Sequence, residues 1–105
     1  MPLFAIVARD KPDHLETRMG ARPDHVAHLN GLGARLKAAG PMLDADDKPM
    51  GSLVVFEAGD VAAARAFAEA DPYAAAGLFA DVQVVPFNAL LGTWPNAEAA
   101  RDEEE

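Results

Sequence analysis

The sequence predicts an α+β domain with elements in the order β-α-β-β-α-β. Three short runs rich in β-branched and aromatic residues have the length of strands: Leu3–Ala8, Ser52–Glu57 and Phe79–Phe87. Two further segments show helical spacing of apolar residues, from Arg22 to about Ala39 and from Val61 to about Ala70. This order is that of the ferredoxin-like plait, in which two helices cover one face of an antiparallel sheet.

In the first half of the chain, a charged turn that contains Pro12 ends the first strand. A polar stretch from Asp13 to Gly20 follows, and we expect it to hold one helical turn at most. Pro23 and Asp24 suit the first turn of the long helix, and Gly40-Pro41 suits its end.

In the second half, Met42-Leu43 is predicted to be a short strand, followed by a polar turn at Asp44–Pro49. Asp60 is placed to cap the second helix, and Asp71-Pro72 stops it, because the residue before a proline disfavours helical dihedral angles. Pro86 places the end of the last strand at a sheet edge or a bulge.

The composition excludes several classes of protein. A chain of 105 residues, 50% of them hydrophobic, is predicted to form one domain with one core. It contains no cysteine, which excludes disulfides, Cys-ligated zinc and thiol catalysis. The net charge of −8 disfavours nucleic acid and anionic lipid as partners. No apolar run approaches the roughly 20 residues that span a bilayer, and no signal-peptide pattern begins the chain, so we expect a cytoplasmic protein with no membrane partner.

The C-terminal segment 95–105 differs from the rest of the chain. Residues 98–105 hold five of the 17 acidic residues and one of the nine Lys and Arg residues, so half of the net charge of −8 lies there. We therefore predict a single domain over residues 1–94 and a flexible acidic tail over 95–105.

The predicted strands are apolar on both faces. In the first strand, Leu3 and Val7 alternate with Phe4 and Ile6, and the run Ser52–Glu57 shows the same pattern. Two helices cover only one face of a four-stranded sheet, so a monomer would expose a large apolar surface. We therefore predict a homodimer in which two sheets pack face to face.

One stripe of the predicted long helix combines basic and apolar residues. Arg22, His25, Leu29, Leu32 and Leu36 follow the spacing i, i+3, i+7, i+10 and i+14. His25 therefore points towards the protein, as a structural histidine or as a general acid and base. Arg22 is either a capping or surface ion-pair residue, or an anchor for a carboxylate or phenolate.

Asp71 is the predicted carboxylate partner of His25, since it ends the second helix at the same end of the fold. There it faces the negative end of the helix dipole, which is unfavourable unless a cation or a donor meets it. Asp71-Pro72-Tyr73 also has the pattern of an N-cap and first-turn proline of a short helix. Both roles are compatible, because a carboxylate has two oxygens.

The remaining patterns are less specific. His25 and His28 are three residues apart without a third ligand, so no metal site is predicted. The sequence has no phosphate-binding glycine loop and no Gly-x-Ser-x-Gly motif, and we expect no cofactor. Ser52 could hydrogen-bond a ligand and Tyr73 could line an apolar pocket, although strand start and packing are their ordinary roles.

Five segments along residues 2–92 together resemble a known family. In chain order they are Arg22-Pro-Asp-His25-Val-Ala-His28-Leu29, Ala39-Gly40-Pro41, Gly51-Ser52, Ala70-Asp71-Pro72-Tyr73 with Gly77, and Val85-Pro86-Phe87. This combination resembles the YciI family of the dimeric α/β-barrel superfamily. The resemblance implies a ferredoxin-like protomer that dimerises through its sheet, with a cleft that contains a His-Asp pair. The acidic tail is not part of the family pattern.

By this resemblance, the histidine and aspartate of the family fall on His25 and Asp71, its serine on Ser52 and its arginine on Arg22. The family includes a proposed dehydrochlorinase-type lyase, and related barrels include lactone isomerases. We therefore expect a small acid-base enzyme, a lyase or an isomerase, that binds a cyclic or phenolic organic acid through Arg22, Ser52 and Tyr73. The alternatives are a non-catalytic small-molecule-binding or regulatory dimeric module, or a His-Asp pair that only ties the two helices together.

Overall fold

The computed structural model describes residues 1–92, and the predicted acidic tail lies outside them. Within that range the four strands form one antiparallel sheet in the order β2-β3-β1-β4. No helix in the described part of the chain is long and apolar enough to cross a membrane. The elements are β1 (Leu3–Asp10), α1 (Leu15–Asn30), a 3₁₀ turn (Gly33–Arg35), β2 (Leu36–Leu43), β3 (Pro49–Glu57), α2 (Val61–Glu69), α3 (Pro72–Ala75) and β4 (Phe79–Phe87).

The hydrophobic core lies between the helices and one face of the sheet. Phe4 and Ile6 of β1 pair across the ladder with Phe56 and Val54 of β3, so all four side chains share this face. Leu29 of α1 packs into the same buried cluster. Alternate side chains of β1 and β3 thus pack against the helices on one face of the sheet, and the predicted ferredoxin-like α+β fold is confirmed.

The first helix differs from the prediction at both ends. α1 begins at Leu15, so the polar stretch expected to hold one turn at most is helical, and Pro23 lies inside the helix and not at its start. Pro23 lies on the exposed side of the helix, where solvent can bind the backbone carbonyl that the missing N–H of proline leaves unpaired. The helix ends at Asn30, and Gly33 shortly after it adopts a φ of 58°, a left-handed conformation that glycine takes without strain.

The first half of strand β2, residues 36–39, was predicted to form the last turn of the long helix. Gly40-Pro41, predicted to end that helix, lies inside β2, and the predicted short strand Met42-Leu43 is only its final part. A proline fits here because β2 is an edge strand, where one row of backbone groups has no ladder partner. The β4 strand has the bounds that the sequence predicts.

The second face of the sheet, here called the open face, carries apolar side chains away from the helices. The register places Leu53 of β3 beside Val7 of β1, and Phe87 and Val85 of β4 beside Leu3 and Ala5 of β1. Leu53, Val85 and Phe87 are 43%, 44% and 42% exposed. An apolar surface of this kind is typical of an interaction site.

Candidate active site

Three basic side chains follow one side of α1 and line a cleft of about 210 Å³ between α1, β2 and β3. Arg18, Arg22 and His25 are spaced i, i+4 and i+7, which places them on neighbouring turns of the same helical face. Arg18 and His25 are buried, whereas Arg22 is exposed at the rim of the cleft.

The predicted partners His25 and Asp71 are in direct contact. Nδ1 of His25 lies 2.9 Å from both carboxylate oxygens of Asp71, and the two side chains are only 10% and 9% exposed. Asp71 is also the N-cap of α3, where its Oδ1 accepts the backbone N–H of Tyr73 at 2.9 Å. Capping and pairing with the histidine therefore coexist on one carboxylate.

This contact determines which ring nitrogen of His25 is available to a ligand. A carboxylate only accepts hydrogen bonds, so Nδ1 carries the hydrogen, and Nε2 of the neutral ring carries the lone pair. Nε2 has no hydrogen-bond partner among residues 1–92, and in that range no buried side-chain nitrogen or oxygen lacks one. Nε2 is therefore reached by solvent, and His25 presents it to the cleft that the residue lines.

Tyr73 holds the imidazole from one side. Its ring stacks on that of His25 with centroids 3.8 Å apart and an interplanar angle of 14°, and the residue is 1% exposed. Burial raises the pKa of Tyr73, although the charges of Arg18 and Arg22 act in the opposite direction, so the phenol is protonated at neutral pH. Tyr73 lines the cleft, as predicted for a substrate-binding residue, but its largest contact is with His25.

A second hydrogen-bonded group lies beside the His-Asp pair. Nε and Nη2 of Arg18 donate to Oδ2 and Oδ1 of Asp10 at 2.7 and 2.9 Å, and Nη2 also donates to Oγ of Ser52 at 2.9 Å. The Arg18 guanidinium carbon lies 4.7 Å from the centroid of the Tyr73 ring. Burial by itself would lower the pKa of Arg18, but the hydrogen bonds and charge of Asp10 outweigh it and raise that pKa above its ordinary value.

Ser52 is thereby oriented for a ligand. Its oxygen accepts from Arg18, which leaves its own hydrogen to donate, and the residue lines the cleft. Sequence reasoning singled out Ser52 and missed Arg18 and Asp10. The signal for Arg18 was its helical spacing to Arg22 and His25, but the stretch around it was assigned as largely non-helical.

The comparison with known families places the whole sheet and its helices in one family. The YCII-related domain matches residues 2–88. The chain belongs to the YciI family. It is 45% identical over 97 residues to Protein YciI of Escherichia coli O6:H1, with 85% of this chain and 99% of that protein covered. It is 40% identical over 96 residues to a protein of Haemophilus influenzae, with 84% and 98% covered. The resemblance noted in the sequence is confirmed.

Solved structures similar to this YciI-family protein include an enzyme. The dehydrochlorinase of 5-chloro-2-hydroxyhydroquinone (TftG) from Burkholderia phenoliruptrix AC1100, in complex with 2,5-dihydroxybenzoquinone, is 34% identical with a TM-score of 0.77, covering 82% of this chain and 93% of that chain. An antibiotic biosynthesis monooxygenase is 16% identical with a TM-score of 0.55, covering 87% and 100%. The second likeness shows the fold alone.

His28 of this YciI-family chain has a different environment from His25. Its Nε2 lies 3.0 Å from the backbone oxygen of Phe67, and its ring stacks on the Phe67 ring with centroids 4.1 Å apart. His28 therefore ties α1 to α2. Among residues 1–92, no group of three or more histidine and carboxylate side chains is arranged to hold a metal ion.

Proposed function

We propose that this YciI-family protein is a small cofactor-independent enzyme that moves protons on a small cyclic or phenolic organic acid, as a lyase or an isomerase. One observation carries the proposal: Asp71 holds Nδ1 of His25, while Nε2 opens to the cleft. In this arrangement Nε2 takes a proton from the substrate and returns it, and Asp71 stabilises the imidazolium that forms in between.

Two further residues are proposed to bind substrate oxygens. The exposed guanidinium of Arg22 is available to a carboxylate or phenolate at the rim of the cleft. The hydroxyl of Ser52 donates to an oxygen deeper inside, since Arg18 already occupies its acceptor side. Tyr73 contributes mainly by holding the His25 ring against the cleft.

The similarity to TftG supports the lyase form of the proposal, because that protein is named as a dehydrochlorinase of a single-ring phenol. In a dehydrochlorination, a base removes a proton from the substrate and chloride leaves with the electron pair of its bond to carbon. Nε2 of His25 is the base that this chain offers for the first of these events.

The test is a comparison of two histidine variants. Chloride release from 5-chloro-2-hydroxyhydroquinone, and deuterium incorporation from solvent into a panel of small phenols and cyclic acids, are measured for wild type, His25→Asn and His14→Asn. His14 is the control, because it binds the backbone oxygen of Pro12 and does not line the cleft. His25→Asn is expected to lose about 10²- to 10⁴-fold in rate, and His14→Asn to lose none. Full turnover by a folded His25→Asn protein contradicts the proposal. A wild type that binds these compounds but transforms none favours a binding module.

We also propose that the protein forms a homodimer through the open face of the sheet. Leu53 of the central strand β3 and Val85 and Phe87 of the edge strand β4 expose apolar surface there, and a second sheet could pack face to face against it. A second copy covers this face without changing the cleft, which lies on the helical side.

A further inference from the structure

The charges that line the cleft are compensated unequally. The Arg18 cation meets the Asp10 carboxylate in a buried two-point contact, so that pair is neutral. Arg22 has no ion pair among residues 1–92 and is exposed. Its side chain nevertheless lines the cleft together with Tyr73, and its charge opposes the burial that raises the pKa of Tyr73. Arg22 is thus a permanent cation of this site that has no direct ion-pair partner in the described part of the chain.

The net charge of the cleft also depends on the protonation state of the His25-Asp71 pair. With a neutral imidazole the pair carries one negative charge, which offsets the positive charge of Arg22. When Nε2 is protonated, the site gains one positive charge. The other groups that face His25 offer nothing to offset it: α3 contributes the neutral phenol of Tyr73, β3 contributes Ser52, and β2 contributes only Ala39, Gly40 and Pro41.

We propose that the cleft takes up one negative charge together with one proton: a ligand monoanion binds against Arg22 while Nε2 of His25 becomes protonated. The inference rests on the proposed function, since the same nitrogen serves as the base. Binding and protonation are then linked, and each favours the other to the same extent. A ligand that enters as a neutral acid and gives its proton to Nε2 reaches the same state with no net change in charge.

The same count of charges selects against more highly charged ligands. A dianion would leave one negative charge without a partner in a partly buried site, which is costly. The size of the cleft, about 210 Å³, limits the ligand further. A cavity of about 150 Å³ holds a benzene ring. Met19, Val26 and Leu29 form an apolar wall beside the polar groups. The preferred ligand class is therefore a single-ring acid with one ionised group and a second oxygen for Ser52.

The test uses three probes that share one ring. Isothermal titration calorimetry measures the full-length protein with 4-hydroxybenzoate (one negative charge), 4-hydroxybenzamide (neutral) and 4-hydroxyisophthalate (two negative charges). Titrations in Tris and in bis-Tris, two cationic buffers with different ionisation enthalpies, give the number of protons taken up. We expect the monoanion to bind most tightly. Its binding should be accompanied by uptake of a fraction of a proton by the protein, and this fraction should approach one at the pH where uptake is greatest.

Three variants assign the effect to its residues. Arg22→Gln is expected to bind 4-hydroxybenzoate about tenfold more weakly, as for the loss of a charge-assisted hydrogen bond at an exposed site. The matched control Arg65→Gln, at an exposed arginine of α2 outside the cleft, is expected to bind as wild type does. His25→Asn is expected to bind 4-hydroxybenzoate without proton uptake.

Four results would overturn the proposal: tighter binding of the dianion, no proton uptake by wild type, unchanged affinity in Arg22→Gln, or no saturable binding of the monoanion at millimolar concentration. None of them depends on turnover. Failure of the proposed function shows separately, as full turnover by His25→Asn, so the two failures are distinguishable.

Discussion

Replacing Asp71 by asparagine separates the two roles of this carboxylate. Asparagine keeps a side-chain oxygen that can accept the backbone N–H of Tyr73, so the cap of α3 is retained. It removes the negative charge that lies 2.9 Å from Nδ1 of His25. The side-chain amide can instead donate to Nδ1, which favours a hydrogen on Nε2 and removes the lone pair from the cleft.

The expected loss of stability follows from the burial of His25 and Asp71, whose side chains are 10% and 9% exposed. A hydrogen bond to a charged group contributes about 1.5–3 kcal/mol, so we expect Asp71→Asn to lower the free energy of unfolding by about that amount. Asp71→Ala also removes the cap and is expected to cost about 1 kcal/mol more. Proton transfer is expected to fall about 10²- to 10⁴-fold in both variants.

Urea denaturation measures the first effect, and deuterium incorporation into substrate measures the second. A double-mutant cycle with His25→Asn gives the coupling between the two residues: once His25 is absent, Asp71→Asn should cost much less. If Asp71→Asn is as stable and as active as wild type, or if the two substitutions are additive, the contact between these residues does not have the role argued for it.

Three further predictions concern the surroundings of the pair. Tyr73 is the only tyrosine, and because its pKa is raised, the midpoint of its ionisation, followed by tyrosinate absorbance, should lie above the ordinary value of 10.0. The stability that the neutral phenol contributes is fully present below pH 10.0 and is lost as pH rises through the folded-state pKa. A midpoint at or below 10.0 contradicts this prediction. Arg18→Met leaves the buried Asp10 carboxylate without its partner and is expected to cost about 3–5 kcal/mol of stability in urea, part of which Asp10→Asn should restore; an undiminished stability refutes the argument. Leu53→Asp on the open face is expected to convert a dimer into a monomer in analytical ultracentrifugation, whereas a monomeric wild type at micromolar concentration rules out the dimer.

Three of the four strands were the predictable part of the fold. Runs such as Phe79–Phe87 contain enough β-branched and aromatic residues to show their length directly, and the structure gives that strand the same bounds. Only Met42-Leu43 of β2 was predicted as a strand. Residues 36–39 were predicted wrongly as helix, because their leucine and alanine spacing continues the helical pattern, and the left-handed conformation of Gly33 between α1 and β2 leaves no mark in that pattern.

The candidate site was predicted only in part, because the start of α1 was placed too late in the chain. His25 and Asp71 could be paired from the topology, because both lie at the same end of the fold. Arg18 could not be placed once Pro23 was taken as the start of the helix, since that removes two turns from α1. Asp10 could not be recognised without Arg18, because a carboxylate at the end of a strand has no distinctive pattern of its own.

The central claim is that Asp71 fixes the hydrogen of His25 on Nδ1 and leaves Nε2 as a base in the cleft. Long-range ¹H–¹⁵N correlation spectra report which ring nitrogen of a neutral histidine carries hydrogen, and His25→Asn identifies the signals of His25 among those of the three histidines. The structure predicts a hydrogen on Nδ1 and a bare Nε2 for neutral His25. A neutral ring with its hydrogen on Nε2 would contradict the account.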